Sequence, residues 1–293
     1  MRFKQKIPWW GKIATKLVLS RLPVDYKYWQ RLGLFKLGYM DDVKYAVDVF
    51  KSHADSVGLN SIDKFAGKTI LELGPGDSVA SALIAKACGA RTILVDVGPF
   101  AKRHLDYYRS LVVQLESMGL SLPEINSVKS LDELLEVCDA RYLTAGLDSL
   151  RKLQDDSVDF IFSQAVLEHI RKGEFLCTQQ ELARILKRDG VCSHEVDLRD
   201  HLSNNLNNLR FSDHIWESEF FANSGFYTNR ITFEQMLEMF RRAGFDVEVI
   251  EVRRWDKLPL DRRHLDREFR YIPEEILTVS GFRVLLRHCV SAS

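Results

Sequence analysis

The 293-residue chain is predicted to fold as an α/β domain on a seven-stranded, largely parallel sheet with helices on both faces. Three observations carry this. From residue 68 onward, short apolar runs alternate with stretches of helical periodicity. One run, "VDFIFSQ" (158–164), is apolar on both faces, as a central strand is. A glycine-bearing turn, "LELGPGDS" (71–78), joins the first run to a helix.

The elements follow in order. "KTILELG" (68–74) is the first strand, and "SVASALIAKACG" follows as a helix with Val79, Leu83, Ile84 and Ala87 on one face and Gly89 as its stop. "ARTILVDVG" (90–98) is the second strand. A long helical pattern covers "PFAKRHLDYYRSLVVQLESMG", with Leu105, Tyr108, Leu111, Val112 and Leu115 aligned. A short helix near "SLDELLEVC" leads to a third strand, "ARYLTAG". After the fourth strand, "FLCTQQELARILKRDG" reads as a helix whose Lys187 and Arg188 suit the negative end of its dipole. "VCSHEVD" (191–197) is the fifth strand. "TFEQMLEMFRRAGF" opens with Thr232 and carries Gln235 three residues later, a capping box. "DVEVIEVRRW" and "GFRVLLRHC" complete the seven strands. The domain so defined spans residues 63–293. Residues 1–62 read as an N-terminal helical extension or lid, and 198–230 as an insertion that would cover a ligand bound beyond the strand ends.

Composition narrows the function. Lys plus Arg and Asp plus Glu balance at 41 each, so no global field attracts nucleic acid, and no basic stripe accompanies the aromatic region. No run approaches the ~18 apolar residues of a membrane span. No secretory signal is read at the start, and the five scattered Cys lack metal or disulfide spacing, so the expected location is cytoplasmic. Residues 1–24 hold Arg2, Lys4, Lys6, Lys12, Lys16 and Arg21 and no acid, interleaved with Trp9, Trp10, Ile13, Leu17 and Val18. That pattern fits peripheral contact with an anionic membrane on the inner face; a helical cap packed on the main domain is the other reading.

The glycine turn is the strongest chemical signal. Gly74 and Gly76 let the backbone approach a ligand closely, and the helix behind them offers free N–H groups. A dinucleotide site would have a third glycine where Val79 stands. Glu72 before the turn and Asp77 within it would repel a pyrophosphate but suit a donor carrying ammonium and sulfonium charges. Asp96, ending the second strand 20 residues after Gly76, is placed to accept hydrogen bonds from a ribose diol. A plain tight turn is the alternative for "GPG" alone.

Together "ILELGPGDS", "LVDVG", "DDSVDFIFSQAVLEHI", "ELARILKRDG" and "RRAGFDVEVIE" resemble the class I S-adenosylmethionine-dependent methyltransferases, in the branch whose fourth strand runs into "LEH". The resemblance covers about residues 66–288 and implies a Rossmann-like methyltransferase sheet with S-adenosylmethionine as cofactor. It implies that Glu72, Gly74, Pro75, Gly76, Asp77 and Ser78 line the methionine and ribose side, Asp96 holds the ribose and Val97 packs on the adenine. Gly146 and Leu147 would border the adenine, and Ser163 and Gln164 would face the methionine. Leu147 stands where the family often has an acid, so Asp148 or backbone would serve the adenine amino group. "RDG" replaces the usual Pro-Gly-Gly before strand five.

Methyl transfer from a sulfonium needs alignment and desolvation, and a hydroxyl acceptor benefits from a general base. Ligands of open α/β sheets lie beyond the carboxyl ends of the strands. Acceptor-side residues should therefore follow strands four and five: Glu168 and His169 come after strand four, and Asp197, Asp200 and His201 after strand five, with His169, Asp197, Asp200 and His201 the candidates for acceptor chemistry. His194 reads as a core histidine. No ligand spacing specifies a metal, so none is expected. In the insertion, Asn204, Asn205, Arg210, Trp216, Tyr227 and Arg230 mix amides, guanidiniums and aromatic faces, a surface suited to a polyhydroxylated ring. The alternative is that its aromatics form a small core of their own. The head "LSRLP…YWQRLGLF…GYMDD" is similar to methyltransferases of bacterial polysaccharide biosynthesis. The expected activity is O-methylation of a hydroxyl, on a sugar of a glycan or glycan precursor. Small-molecule or natural-product O- or N-methylation is the enzymatic alternative, and a non-catalytic nucleoside-binding scaffold the alternative of another class.

Overall fold

A computed structural model describes residues 8–19, 40 and 42–289. Seven strands, β1 (Thr69–Leu73), β2 (Arg91–Val95), β3 (Ala140–Leu143), β4 (Val158–Gln164), β5 (Leu186–Asp197), β6 (Phe245–Arg254) and β7 (Val279–His288), form one sheet in the order β3-β2-β1-β4-β5-β7-β6. Pairing is parallel from β3 across to β5, and β7 runs antiparallel to both β5 and β6. The expected seven-stranded α/β sheet is present, with the doubly apolar β4 at its centre. Chain order reverses between β1 and β4, so the crevice beyond their carboxyl ends is where this topology receives a ligand.

Helices α1 (Trp9–Leu19), α2 (Val43–Ser56), α3 (Ala80–Ala87), α4 (Leu105–Ser117), α5 (Leu131–Val137), α6 (Leu147–Leu150) and α7 (Phe175–Ile185) are joined by α8 (Asp213–Trp216), α9 (Glu219–Ala222) and α10 (Phe233–Arg242). Alternation along each strand divides the core between two faces. Ile70, Leu94, Phe160 and Phe162 pack against α2, α3, α4 and α5. Leu71, Val95, Ile161 and Val196 pack against α6, α7 and α10. On α4, Tyr108, Leu111, Val112 and Leu115 are buried, the stripe that the spacing predicts. α2, within the stretch read as an extension, buries Ala46, Val47, Phe50 and Ala54 in the same core as β1 and β4.

Helix ends show where local chemistry prevailed. Thr232 and Gln235 form the predicted capping box on α10. α4 begins at Leu105, six residues later than its pattern suggests. α7 stops at Ile185 rather than running through Lys187 and Arg188. Leu186 is buried and pairs with Val158 at the foot of the sheet, and the register shift before Phe160↔Val191 takes up residues 187–190. Lys187 therefore bonds Asp159 at 2.8 Å instead of covering a helix end. Arg184, in the last turn of α7, instead donates to the carbonyl of Leu150 at the end of α6 and to that of Leu153.

The insertion carries α8 and α9 and has a core of its own. Trp216, Phe226, Tyr227 and Leu202 are buried together, and Ile13 and Leu17 of α1 close the cluster. Lys12 ties the helix down with a 3.0 Å bond to the Leu202 carbonyl. As placed, α1 is a cap on the insertion, with its apolar side turned inward and Trp10 exposed. Arg2, Lys4, Lys6, Arg21 and most of the "LSRLP…YWQRLGLF" head lie outside the described residues.

Candidate functional site

The turn after β1 brings backbone and acids together. Gly74 and Gly76 both adopt positive φ (72° and 63°), which a side chain would strain. At Gly74 a Cβ would also lie 2.4 Å from Val166, so the turn is pressed against the segment following β4. Asp96, at the end of β2, accepts from Gly76 N–H at 3.1 Å and from Val97 N–H at 2.7 Å. The first of these bonds ties the glycine turn to the neighbouring strand, and the second fixes the carboxylate's orientation. Burial nonetheless raises Asp96 to about 6, against the pull of both amides, and the Asp77 charge adds to the rise. Glu72 is buried and accepts from Ser81; burial raises it to about 8, with Asp96 adding repulsion. Pro75 and Asp77 are also buried in the turn.

Glu72 and Asp96, beside one glycine turn, resist ionising chiefly because they are buried, and a positive charge next to them would favour the ionised form. A donor with a sulfonium and an ammonium supplies that charge, whereas a pyrophosphate would worsen the repulsion. The residue set fits S-adenosylmethionine, for which Glu72 and Asp77 would face the charged end and Asp96 the ribose. Val97 is 78% exposed and its Cγ1 faces Gly146, with only 3.1 Å to a Cβ built there. Gly146 N–H bonds the Asp96 carbonyl at 2.8 Å. These contacts bring Val97 and Gly146 together beside Asp96, where the adenine would be expected. Asp148 pairs with Arg151 at 2.9 Å.

Three residues expected on the cofactor side are turned elsewhere. The hydroxyl of Ser78, fully buried, accepts from Ala80 N–H and meets the Tyr107 hydroxyl, so it serves the start of α3. Ser163 is buried against His194, Oγ to Nδ1 2.8 Å, on the inner side of its strand. Gln164 points the other way, and its Oε1 accepts from His53 Nε2 at 3.0 Å. His53 was missed by sequence reasoning. It sits on α2, remote in sequence, and its Nδ1 meets Ser193 Oγ at 2.8 Å. Burial holds His53 near 4 and His194 near 3, so both are neutral. His194 is the core histidine its place within the strand suggests.

The acceptor side forms beyond β4 and β5. Ala165, a non-glycine residue at φ 54°, turns the chain sharply out of β4 into the "LEH" turn. His169 and His201 meet there edge to face, ring centroids 4.7 Å apart, both exposed. The Nδ1–H of His169 donates to the Tyr227 carbonyl at 2.8 Å, which makes Nε2 its lone-pair nitrogen. Asn229 staples the same turn: its amide donates to the carbonyls of Leu167 and Ile170 at 2.8 and 3.0 Å. Asp197 accepts two bonds from the Arg199 guanidinium at 2.8 Å, which helps hold its carboxyl below the usual range despite burial.

Asp200 does not join this group. Its carboxylate is buried, accepting from the amides of Leu202 (3.0 Å), Ser203 (2.6 Å) and Asn207 (2.8 Å) and from the Asn207 side chain (2.9 Å). An acid that already satisfies four donors holds a loop and is no general base. The insertion residues are corrected likewise. Trp216 (0% exposed) and Tyr227 are core, the Tyr227 hydroxyl donating to Glu217. Arg230 is buried, paired with Asp213 and bonded to the Phe211 carbonyl. Arg210 lies over the Trp9 ring at 4.6 Å, and Asn205 donates to the Pro259 carbonyl. Asn204 is exposed, at φ 55°. The aromatics of this segment thus pack among themselves and do not form a sugar platform.

Glu168, between Leu167 and His169, is 1% exposed, and neither carboxylate oxygen has a hydrogen-bond partner. Burial, with Asp197 and Glu195 close by, drives its carboxyl well above the usual range. Behind it lies a cavity of about 40 Å³ lined also by Asn208, Thr228, Arg230 and Phe233, room for water but not for an acceptor.

A family model described as a methyltransferase domain matches residues 45–250. No curated protein matches the chain. Among solved structures, the chain is similar to an S-adenosylmethionine-dependent methyltransferase from Methanosarcina mazei (15% identity, 77% of this chain and 94% of that one, TM-score 0.46). It is also similar to one from Mesorhizobium loti (16%, 76% and 92%, TM-score 0.41). A third is phosphoethanolamine N-methyltransferase 2 of Haemonchus contortus, in complex with phosphomonomethylethanolamine and S-adenosylhomocysteine (13%, 82% and 52%, TM-score 0.44). The family match spans more than half of the chain, which belongs to the class I S-adenosylmethionine-dependent methyltransferases.

Proposed function

We propose that this S-adenosylmethionine-dependent methyltransferase is an O-methyltransferase whose acceptor is a hydroxyl, on a sugar of a glycan or glycan precursor. The observation that carries the reading is the His169–His201 pair, exposed at the carboxyl ends of β4 and β5 beside the crevice. A neutral hydroxyl is a poor nucleophile, and two imidazoles at its approach lower the cost of removing its proton. When bound, the donor supplies an activated methyl group: the acceptor oxygen bonds to carbon as the carbon–sulfur bond breaks and its electron pair stays on sulfur. The chain's own part is to cradle the donor's charge with Glu72 and Asp77, hold its ribose at Asp96, and orient the acceptor at His169 through the Tyr227 carbonyl.

The carbohydrate assignment rests on less. It is supported by the likeness of the N-terminal head, with the "LEH" turn, to methyltransferases of polysaccharide biosynthesis, and by the polar, open approach to the histidines. A cytoplasmic location with peripheral contact of residues 1–24 on an anionic membrane goes with a lipid-linked acceptor; its structural support is the exposed Trp10. The test is methyl transfer from labelled donor to nucleotide sugars and glycan fragments, run beside small aromatic and amine acceptors. Turnover confined to amines would refute O-methylation, and turnover confined to aromatic hydroxyls would refute the carbohydrate acceptor.

A further inference from the structure

Glu168 presents an unresolved charge. A buried carboxylate with no hydrogen bond is among the costliest groups a fold can carry. Protonation removes the charge but gives the carboxyl no protein partner among the described residues. Its neighbours have their own partners. Glu195 pairs with Arg253 and Arg283, and Asp197 takes the Arg199 guanidinium on both oxygens. Among the described residues, Glu168 has no ion pair. The amides of Glu168 and Asp197 lie near it, outside hydrogen-bond geometry.

What does surround it is a ligand set. One oxygen of Glu168 and one ring nitrogen each of His169 and His201 lie within 4.8 Å of one another. Two donors on one ion sit at ~2.1 Å from it and so at most ~4.2 Å apart. Three donors sharing one ion at that distance stand ~3.0–3.6 Å apart, so the triangle contracts by about 1–2 Å, which a swing of the exposed His201 on its loop can supply. The rest of the arrangement is already fixed. Ala165 at φ 54° sets the turn, and Asn229 clamps it on two carbonyls. The Nδ1–H of His169 is engaged by a backbone carbonyl, the second-sphere bond that metal-binding histidines make.

We propose that Glu168, His169 and His201 hold a divalent cation of the first transition series whose open positions face the crevice. Two imidazoles and one carboxylate suit manganese, iron or zinc better than the all-oxygen preference of magnesium or calcium. The buried carboxylate takes the inner side, so the remaining positions point toward the acceptor. The cation's part in catalysis rests on the hydroxyl-transfer reading above. A hydroxyl bound there becomes more acidic, its proton passes to water, and the oxygen keeps the electron pair with which it attacks the methyl carbon. The histidine pair then acts on the acceptor as ligands of the ion.

The test is titration calorimetry on tag-free, chelator-stripped protein with MnCl2 and, separately, ZnCl2. One equivalent should bind per chain, and Glu168→Gln and His201→Ala should each weaken it at least tenfold. S-adenosylhomocysteine should bind wild type and His201→Ala equally. His201 is exposed, so its variant reports even if Glu168→Gln folds poorly. Absence of saturable binding by either metal overturns the proposal, as does equal affinity in His201→Ala and wild type. The homocysteine titration separates the two ideas. Protein that binds it but no metal loses only the cation site. Protein that binds metal but not the cofactor product keeps the site and loses the donor reading.

Discussion

Replacing Glu72 by Gln isolates the charge of the cofactor cradle. The carboxyl ionises near 8 in the folded protein against an ordinary 4.5, chiefly because it is buried. A carboxyl with a raised folded pKa favours the folded state most below its unfolded value, and that contribution is lost as pH rises toward the folded one. Between pH 6 and pH 8 the integrated loss is roughly 2 kcal/mol in the absence of cofactor. The amide has nearly the same shape, can accept from Ser81, and does not titrate. Urea unfolding of both proteins at pH 6, 7 and 8 gives the comparison. Other groups tilt both profiles alike, so the difference between them is the measurement. The wild type should fall relative to Glu72→Gln by about 2 kcal/mol across this window. S-adenosylmethionine should restore the wild type at pH 8 more than the variant, since its positive charge is what the ionised carboxyl lacks. Parallel profiles would show that Glu72 ionises normally in a hydrated crevice, and the electrostatic case for a cationic donor would go with it.

The remaining expectations concern other parts of the site. Asp96→Ala removes the acceptor of a ribose diol and should weaken S-adenosylhomocysteine by tenfold or more in calorimetry, charged hydrogen bonds being worth ~1.5–3 kcal/mol. In the wild type, affinity should rise as pH climbs through about 6, where Asp96 ionises; a flat profile from pH 5 to 7 excludes that role. Gly74→Ala puts a methyl 2.4 Å from Val166 at φ 72° and should lower unfolding stability by roughly 1–3 kcal/mol, with Val166→Ala recovering part of it. Asp200→Ala and His201→Ala should part company, although adjacent. The first strips four donors of their acceptor and costs about 3 kcal/mol in thermal or urea unfolding. The second should leave stability and cofactor affinity alone while turnover falls ~10²-fold or more; turnover kept intact would remove His201 from the acceptor edge.

Sequence and structure agree most where one short-range rule decides the outcome. The two-faced apolar run of β4, the helical stripe of α4 and the Thr232–Gln235 cap are local patterns, and each appears as the pattern dictates. The acids of the glycine turn were also legible, because Glu72, Asp77 and Asp96 sit at fixed offsets from Gly74 and Gly76. Side-chain direction was not. Ser163 and Gln164 are adjacent on a strand and so point to opposite faces; that alternation was the available signal that only one of them could look into the crevice. His53 left no signal, since its role comes from α2 crossing over Gln164 and Ser193, over a hundred residues away in the chain. Asp200 was misread because a loop cap and a general base draw on the same residue types. Trp216, Tyr227 and Arg230 went the same way, for a dense aromatic segment reads alike whether it packs on itself or on a sugar. Glu168 was legible beside His169 after strand four, but only the packing around it reveals how isolated its charge is.

The carbonyl that sets the proton of His169 belongs to Tyr227, whose ring is wedged into the cluster capped by α1. The reactive edge is thus keyed to a part of the molecule that has no share in holding the donor. Two regions of the insertion therefore tolerate exchange very differently. Residues 227–230 are the key itself, and altering their backbone would retune the imidazole whatever the acceptor. The outer face around the half-exposed Phe220 lies outside that key and should tolerate exchange, provided the space around Trp216 stays filled.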